Sequence, residues 1–80
     1  MHTLHTYTLH IIGGEVITLR ARTLDAAIKR AAYHGRRVPR RAHVTPLDTA
    51  RIYAVTIPAG HGVECIVARV AVWTIDGVTQ

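Results

Sequence analysis

Residues 3–35 read TLHTYTLHIIGGEVITLRARTLDAAIKRAAYHG, and this stretch decides the fold. From Thr3 to Ile12 the side chains alternate, with Tyr7, Leu9 and Ile11 on one face and Thr6, Thr8 and His10 on the other. Period two marks a strand with one buried face. Val16 to Arg22 repeats it, setting Ile17, Leu19 and Ala21 against Val16, Thr18, Arg20 and Arg22. Gly13-Gly14 between the two runs predicts a hairpin. Directly opposite residues in a hairpin share a face. A two-residue loop would pair Leu9 with Thr18 and mix the faces. Counting Glu15 into a three-residue loop pairs Leu9 with Leu19, Ile11 with Ile17 and Tyr7 with Ala21, giving one coherent apolar face. The expected register is the second one. Its other face then presents Thr6, Thr8, His10, Thr18, Arg20 and Arg22, polar and cationic.

A helix follows. Thr23 is the expected N-cap, its hydroxyl accepting from a free amide of the first turn, and Asp25 complements the positive end of the helix dipole. Leu24, Ala27, Ile28, Ala31 and Ala32 recur at helical spacing, and Gly35 suits a left-handed C-terminal residue. Small side chains on that stripe let the helix approach a sheet closely. Lys29, Arg30 and Tyr33 point elsewhere, and Asp25 is placed to pair with Lys29 one turn on.

Beyond Gly35 the sequence is less regular. Gly35 to Arg41 reads as an exposed basic loop, with Pro39 biasing Val38 toward extended backbone. Ala42 to Thr45 reads as a short strand, Pro46 to Thr49 as a turn or helical turn, Arg51 to Ile57 as a strand and Pro58 to Gly62 as a loop. Val63 to Ile75 is a long β-branched strand ending at Asp76-Gly77. Both of its alternating sets are apolar apart from Arg69, the mark of a central strand covered on both faces. With one helix to cover a sheet, the second face is left to curvature of the sheet or to another chain, and a homodimer through Val63 to Ile75 is the form the second option takes. The fold class is α+β: a two-layer, antiparallel sheet in strand-strand-helix-strand-strand order, with one extra short strand allowed and one helix on one face.

An apolar fraction of 49% with 19% charged residues places the chain among globular proteins. Its 80 residues, without repeat or linker, read as a single domain, 1–80. One cysteine, Cys65, excludes an internal disulfide and points to a reducing compartment. Neither a basic leader before an apolar run nor an apolar stretch of membrane-spanning length is present, so a cytoplasmic protein is expected. Serine, asparagine and phenylalanine are absent and arginine far outnumbers lysine, a bias associated with GC-rich bacterial or phage genomes.

The net charge is +5, and it is concentrated. Nine of the ten Lys and Arg residues lie between Arg20 and Arg51, against only Asp25 and Asp48. Arg20, Arg22, Lys29, Arg30, Arg36, Arg37, Arg40 and Arg41 are the candidate partner-binding residues. Guanidinium forks grip phosphates and carboxylates through paired hydrogen bonds. A solvated face that maintains solubility is the plainer alternative. The doublets around Pro39 favour a partner, because clustered arginines repel one another unless an acidic surface relieves them.

Catalytic and metal patterns are thin. His2-x-x-His5 has ligand-like spacing, but residues three apart on a strand face opposite ways and no cysteine or carboxylate joins them. Cys65 in a β-branched run reads as a small buried hydrophobe. Tyr53 reads as core and Trp73 as core or interface, with base stacking as the alternative if they stand exposed beside arginines. His43 after Arg40-Arg41 would suit a small ribonuclease-type toxin, with an imidazole moving protons while guanidiniums hold phosphate; the plainer reading is a polar residue on an edge strand. Lack of serine excludes serine triads. The expectation is no enzyme, no metal, no cofactor, no membrane and no small-molecule substrate.

The Tyr7-to-Ile11 strand, the Gly13-Gly14 hairpin, the capped helix from Thr23 to Arg30 and the returning strands resemble the small phage-encoded anti-CRISPR inhibitor proteins. Many of those are acidic DNA mimics, and this chain departs from them in sign. The resemblance therefore implies a cytoplasmic inhibitor, acting in a bacterial host, that grips a CRISPR surveillance complex subunit or its guide or target nucleic acid. A general DNA- or RNA-binding accessory protein is the alternative.

Overall fold

The computed structural model describes residues 3–33, 42–47 and 51–79. They form β1 (His5–Ile11), β2 (Val16–Ala21), α1 (Leu24–Tyr33), β3 (His43–Pro46), β4 (Ile52–Gly60), β5 (Val63–Ile75) and β6 (Val78–Thr79). The strands make one antiparallel sheet in the order β2-β1-β5-β4-β3, with β6 on β5. α1 lies across one face, which gives the small α+β domain expected of the pattern.

The first hairpin keeps the expected faces but slides by two residues. Tyr7 stands opposite Leu19 and Leu9 opposite Ile17. The loop is Ile12-Gly13-Gly14 rather than Gly13-Gly14-Glu15, closed by hydrogen bonds from Gly14 N to Ile11 O (2.8 Å) and from Ile11 N to Glu15 O (3.1 Å). Gly13 explains the slide: its φ of 83° fills the position of a tight turn that a side chain disfavours. A slide of two preserves parity, so Tyr7, Leu9, Ile17, Leu19 and Ala21 still face the core.

Thr23 caps α1 as expected, its Oγ1 accepting from Ala26 N at 3.2 Å. No ion pair joins Asp25 to Lys29 among the described residues. Ala27, Ile28 and Ala31 are fully buried against Tyr7, Leu9, Ala21, Ala42, Val55, Val70 and Val72, with Leu24 and Ala32 packed at the margin. Four large side chains, Leu9, Ile28, Val55 and Val70, are completely enclosed. In a domain this small each contributes a sizeable share of the apolar burial.

β5 takes the central position that its sequence predicted, but its cover is incomplete. A ten-residue helix is about 15 Å long, whereas a thirteen-residue strand runs about 43 Å. β1, seven residues long, pairs β5 only from Val70 to Ile75, and the other half of β5 continues with β4, which keeps β3 beside it as far as Thr56 and beyond that forms a two-stranded ribbon. Its tip is the two-residue turn His61-Gly62, both at positive φ, so β4 runs to Gly60 instead of stopping before Pro58. Cys65, expected in the core, is exposed on this ribbon. Asp76-Gly77, also both at positive φ, forms a second tight turn and adds the short β6 that the sequence reading stopped short of. β3 covers His43–Pro46, one residue later than expected. Gly35, Arg36, Arg37, Val38, Pro39, Arg40, Arg41 and Asp48 lie outside the described residues. Among those that are described, no helix is long and apolar enough to cross a membrane.

Candidate functional site

The face of the sheet away from α1 is where the chain displays its chemistry. Strand register arranges it in rows. Arg20 stands beside Thr6; Thr18, Thr8 and Thr74 form the next row; Val16, His10, Ala71 and Ile52 the third; Arg69, Ala54 and Thr45 the fourth. Two residues per row make Arg20 and Arg69 about 20 Å apart along the strands. The hydroxyls of Thr8 and Thr18 meet at 3.3 Å. Ala54 and Thr56 are buried despite lying on this face, so its accessible part lies over β1, β2 and the lower half of β5.

Trp73 sits in the middle of that accessible part. The expectation of a core tryptophan is corrected here: Trp73 is 46% exposed. The cause is alternation: Val70 and Val72 are buried toward α1, so Trp73, next along the strand, faces the other way. Thr8 pairs with Thr74 and Leu9 with Val72, which leaves Trp73 without a partner on β1. This bulge shifts parity beyond the indole, so that Ile75 rather than Thr74 returns to the core side opposite Tyr7. His10 steadies it from β1, with ring centroids 5.2 Å apart and planes inclined by 60°. Tyr53, by contrast, packs against the core as expected.

The predicted basic residues are brought together in part. Arg20 is exposed on the edge strand β2, and Arg22 is exposed just beyond it. Arg30, from the last turn of α1, donates from Nη1 to the carbonyl of Arg20 at 2.8 Å. That bond draws Arg30 to the chain segment bearing Arg20 and Arg22, and Lys29 is half-buried next to it in sequence. None of the four is tied to a carboxylate among the described residues. Arg36, Arg37, Arg40 and Arg41 fall outside those residues, and so does any meeting of His43 with Arg40-Arg41. His43 itself is exposed on the edge strand β3.

One titratable cluster fastens the lower end of the sheet. Asp76, in the β5–β6 turn, accepts from Thr6 N (2.8 Å) and meets His5 Nδ1 at 2.7 Å. The Thr6 amide first, then His5, holds the Asp76 carboxyl below its usual range. Burial, reinforced by the Asp76 charge, pushes the Tyr7 phenol up. Here His5 serves as a bonding partner of Asp76, while His2 lies outside the described residues. Among the described residues no group of three or more His, Cys, Asp or Glu gathers as a metal site would require.

The chain matches no protein-family model, no curated protein and no solved structure. Its function has to be read from the chemistry of the face itself. Alternation in β1 and β2 predicts Thr8, His10, Thr18 and Arg20 on one polar surface, and the structure agrees. The same alternation does not extend to Trp73 and Arg69, which join them from β5. The available signal was Arg69, a cation interrupting an otherwise apolar strand, which marks the set to which the open face belongs.

Proposed function

We propose that the protein is a non-enzymatic binding protein whose helix-free sheet face holds single-stranded nucleic acid. The observation that carries this reading is the half-exposed Trp73, set on His10 at the centre of a face with an arginine at either end. An exposed aromatic on a sheet is a platform for an unstacked base, worth about 1–3 kcal/mol per base and tolerant of sequence. Threonine hydroxyls beside it donate and accept hydrogen bonds, and Arg20 and Arg69 meet phosphates to either side. The net charge of +5 draws a polyanion in from a distance. Gel-shift titration of a mixed-sequence oligonucleotide tests it. Binding that falls with salt and is weakened by Trp73→Ala and by Arg20→Glu with Arg69→Glu supports the reading; no binding at low salt rejects it.

A second reading keeps the inhibitor of a bacterial defence complex, of the anti-CRISPR type. What favours it is the Arg30 bond to the Arg20 carbonyl, which collects guanidinium groups at the β2 edge, where an acidic protein patch or a guide nucleic acid would dock. Saturating protein would then block target capture by a purified CRISPR surveillance complex, and Arg22→Glu with Arg30→Glu would restore it. Unchanged capture removes this reading and leaves the first in place.

A further inference from the structure

Among the described residues, the upper half of β5 is an unpaired sheet edge. The last bond from β1 to β5 runs from Ile12 N to Arg69 O at 2.9 Å, and beyond it, from Val63 to Ala68, no described residue pairs that side. The side chains there are apolar and exposed, with Val63 at 59%, Ile66 at 46% and Val67 at 43%. Edges are normally protected by Lys, Pro or an abrupt bulge. On the other edge of the ribbon, Pro58 removes a donor and a register shift follows it. On the β5 edge only Glu64 and the irregularity at Val67 interrupt.

We propose that this edge pairs with the same edge of a second copy, making one continuous sheet across a two-fold axis. Two observations select a copy of this chain over another partner. The first is charge: the molecule carries +5, yet Ile52 to Ala68 contains no Lys or Arg, so like chains meet here without cationic repulsion. The second is shape. β1 ends a half-strand short of β5, and the step so formed has the length of the ribbon that projects above it. Laid antiparallel, the ribbon of each copy fills the step of the other.

The symmetry also narrows the register to two. A two-fold perpendicular to the sheet sets like residues opposite at its centre, because opposite residues must share a face. Centring on Glu64 would oppose two carboxylates. Centring on Cys65 pairs Val63 with the partner's Val67, whereas centring on Ile66 moves the two Cys65 residues to diagonal neighbours. In both allowed registers the thiols lie within about 8 Å.

Sedimentation of the full chain, nuclease-treated and in reducing buffer of high ionic strength, reads the mass, and a short bismaleimide added to the native protein reads the proximity of Cys65. The expected result is twice the 8.8 kDa chain mass, one cross-linked dimer band, and loss of both in Ile66→Lys with its thermal midpoint retained. A monomer at high micromolar concentration overturns the proposal. So does a dimer indifferent to Ile66→Lys, or a ladder of larger species. The outcome is independent of nucleic-acid binding, because Trp73 and Arg20 stand on the lower body of the sheet.

Discussion

The two faces of the sheet are made by the same strands and differ in nearly every property. Toward α1, Tyr7, Leu9, Val55, Val70 and Val72 are buried and apolar. On the reverse, Thr8, His10, Thr18, Arg20, Arg69 and Trp73 are polar, cationic or aromatic and reach solvent to varying degrees. The contrast shows how a domain with a single helix divides its labour. Stability is concentrated on one set of alternating residues, and the other set is left for recognition.

Substitutions on each face should therefore have separable effects. The largest is expected on the covered face. Ile28→Ala, at a completely enclosed site, should cost about 2–5 kcal/mol by chemical denaturation, a large fraction of what a domain of this size possesses. Oligonucleotide affinity should persist wherever the variant is still folded. Next comes Trp73→Ala on the open face: roughly tenfold weaker binding to a single strand, with a change in denaturation midpoint far smaller than that of Ile28→Ala. Equal losses of stability from the two would erase the distinction between the faces.

Smaller effects sharpen it. Thr23→Ala removes the cap of α1 and should cost about 1 kcal/mol without touching binding, checked by thermal melting and gel shift together. The smallest effect concerns pH. Asp76 holds its carboxyl below the ordinary range, so the folded state binds fewer protons than the unfolded one there. Its contribution is complete above the ordinary carboxylate range and is lost as pH falls through the lowered folded value. Asp76→Asn should flatten the acid limb of a stability–pH curve. For Tyr7 the sign reverses: its raised value gives stability that is present below the ordinary tyrosine range and lost above it, so Tyr7→Phe should flatten the alkaline limb.

The covered face was the more legible of the two from sequence. Alternation in β1 and β2, helical spacing from Leu24 to Ala32 and the Thr23 cap are local signals, and each names its own face. β5 offered only Arg69, since both of its alternating sets are otherwise apolar. That cation marks the set turned away from α1, and the bulge at Trp73, which shifts parity beyond it, leaves no mark in the pattern. Cys65 was misplaced for a related reason, because strand composition does not say where a short helix runs out. The hairpin register failed at Ile12, an apolar residue that the pattern assigned to the strand and the tight turn at Gly13 took for the loop. β6 was signalled by Asp76-Gly77, a pair suited to a two-residue hairpin turn, but only two residues follow it in the ladder.

Trp73 is the lone tryptophan of the chain, so its emission reports on the open face without labelling. Titration of the protein with a short single-stranded oligonucleotide at low salt, following that emission, is the most direct trial of nucleic-acid binding there. Saturable quenching that is reversed by added salt is the predicted result. Emission that stays constant while a gel shift shows the oligonucleotide bound would place the contact elsewhere and contradict it.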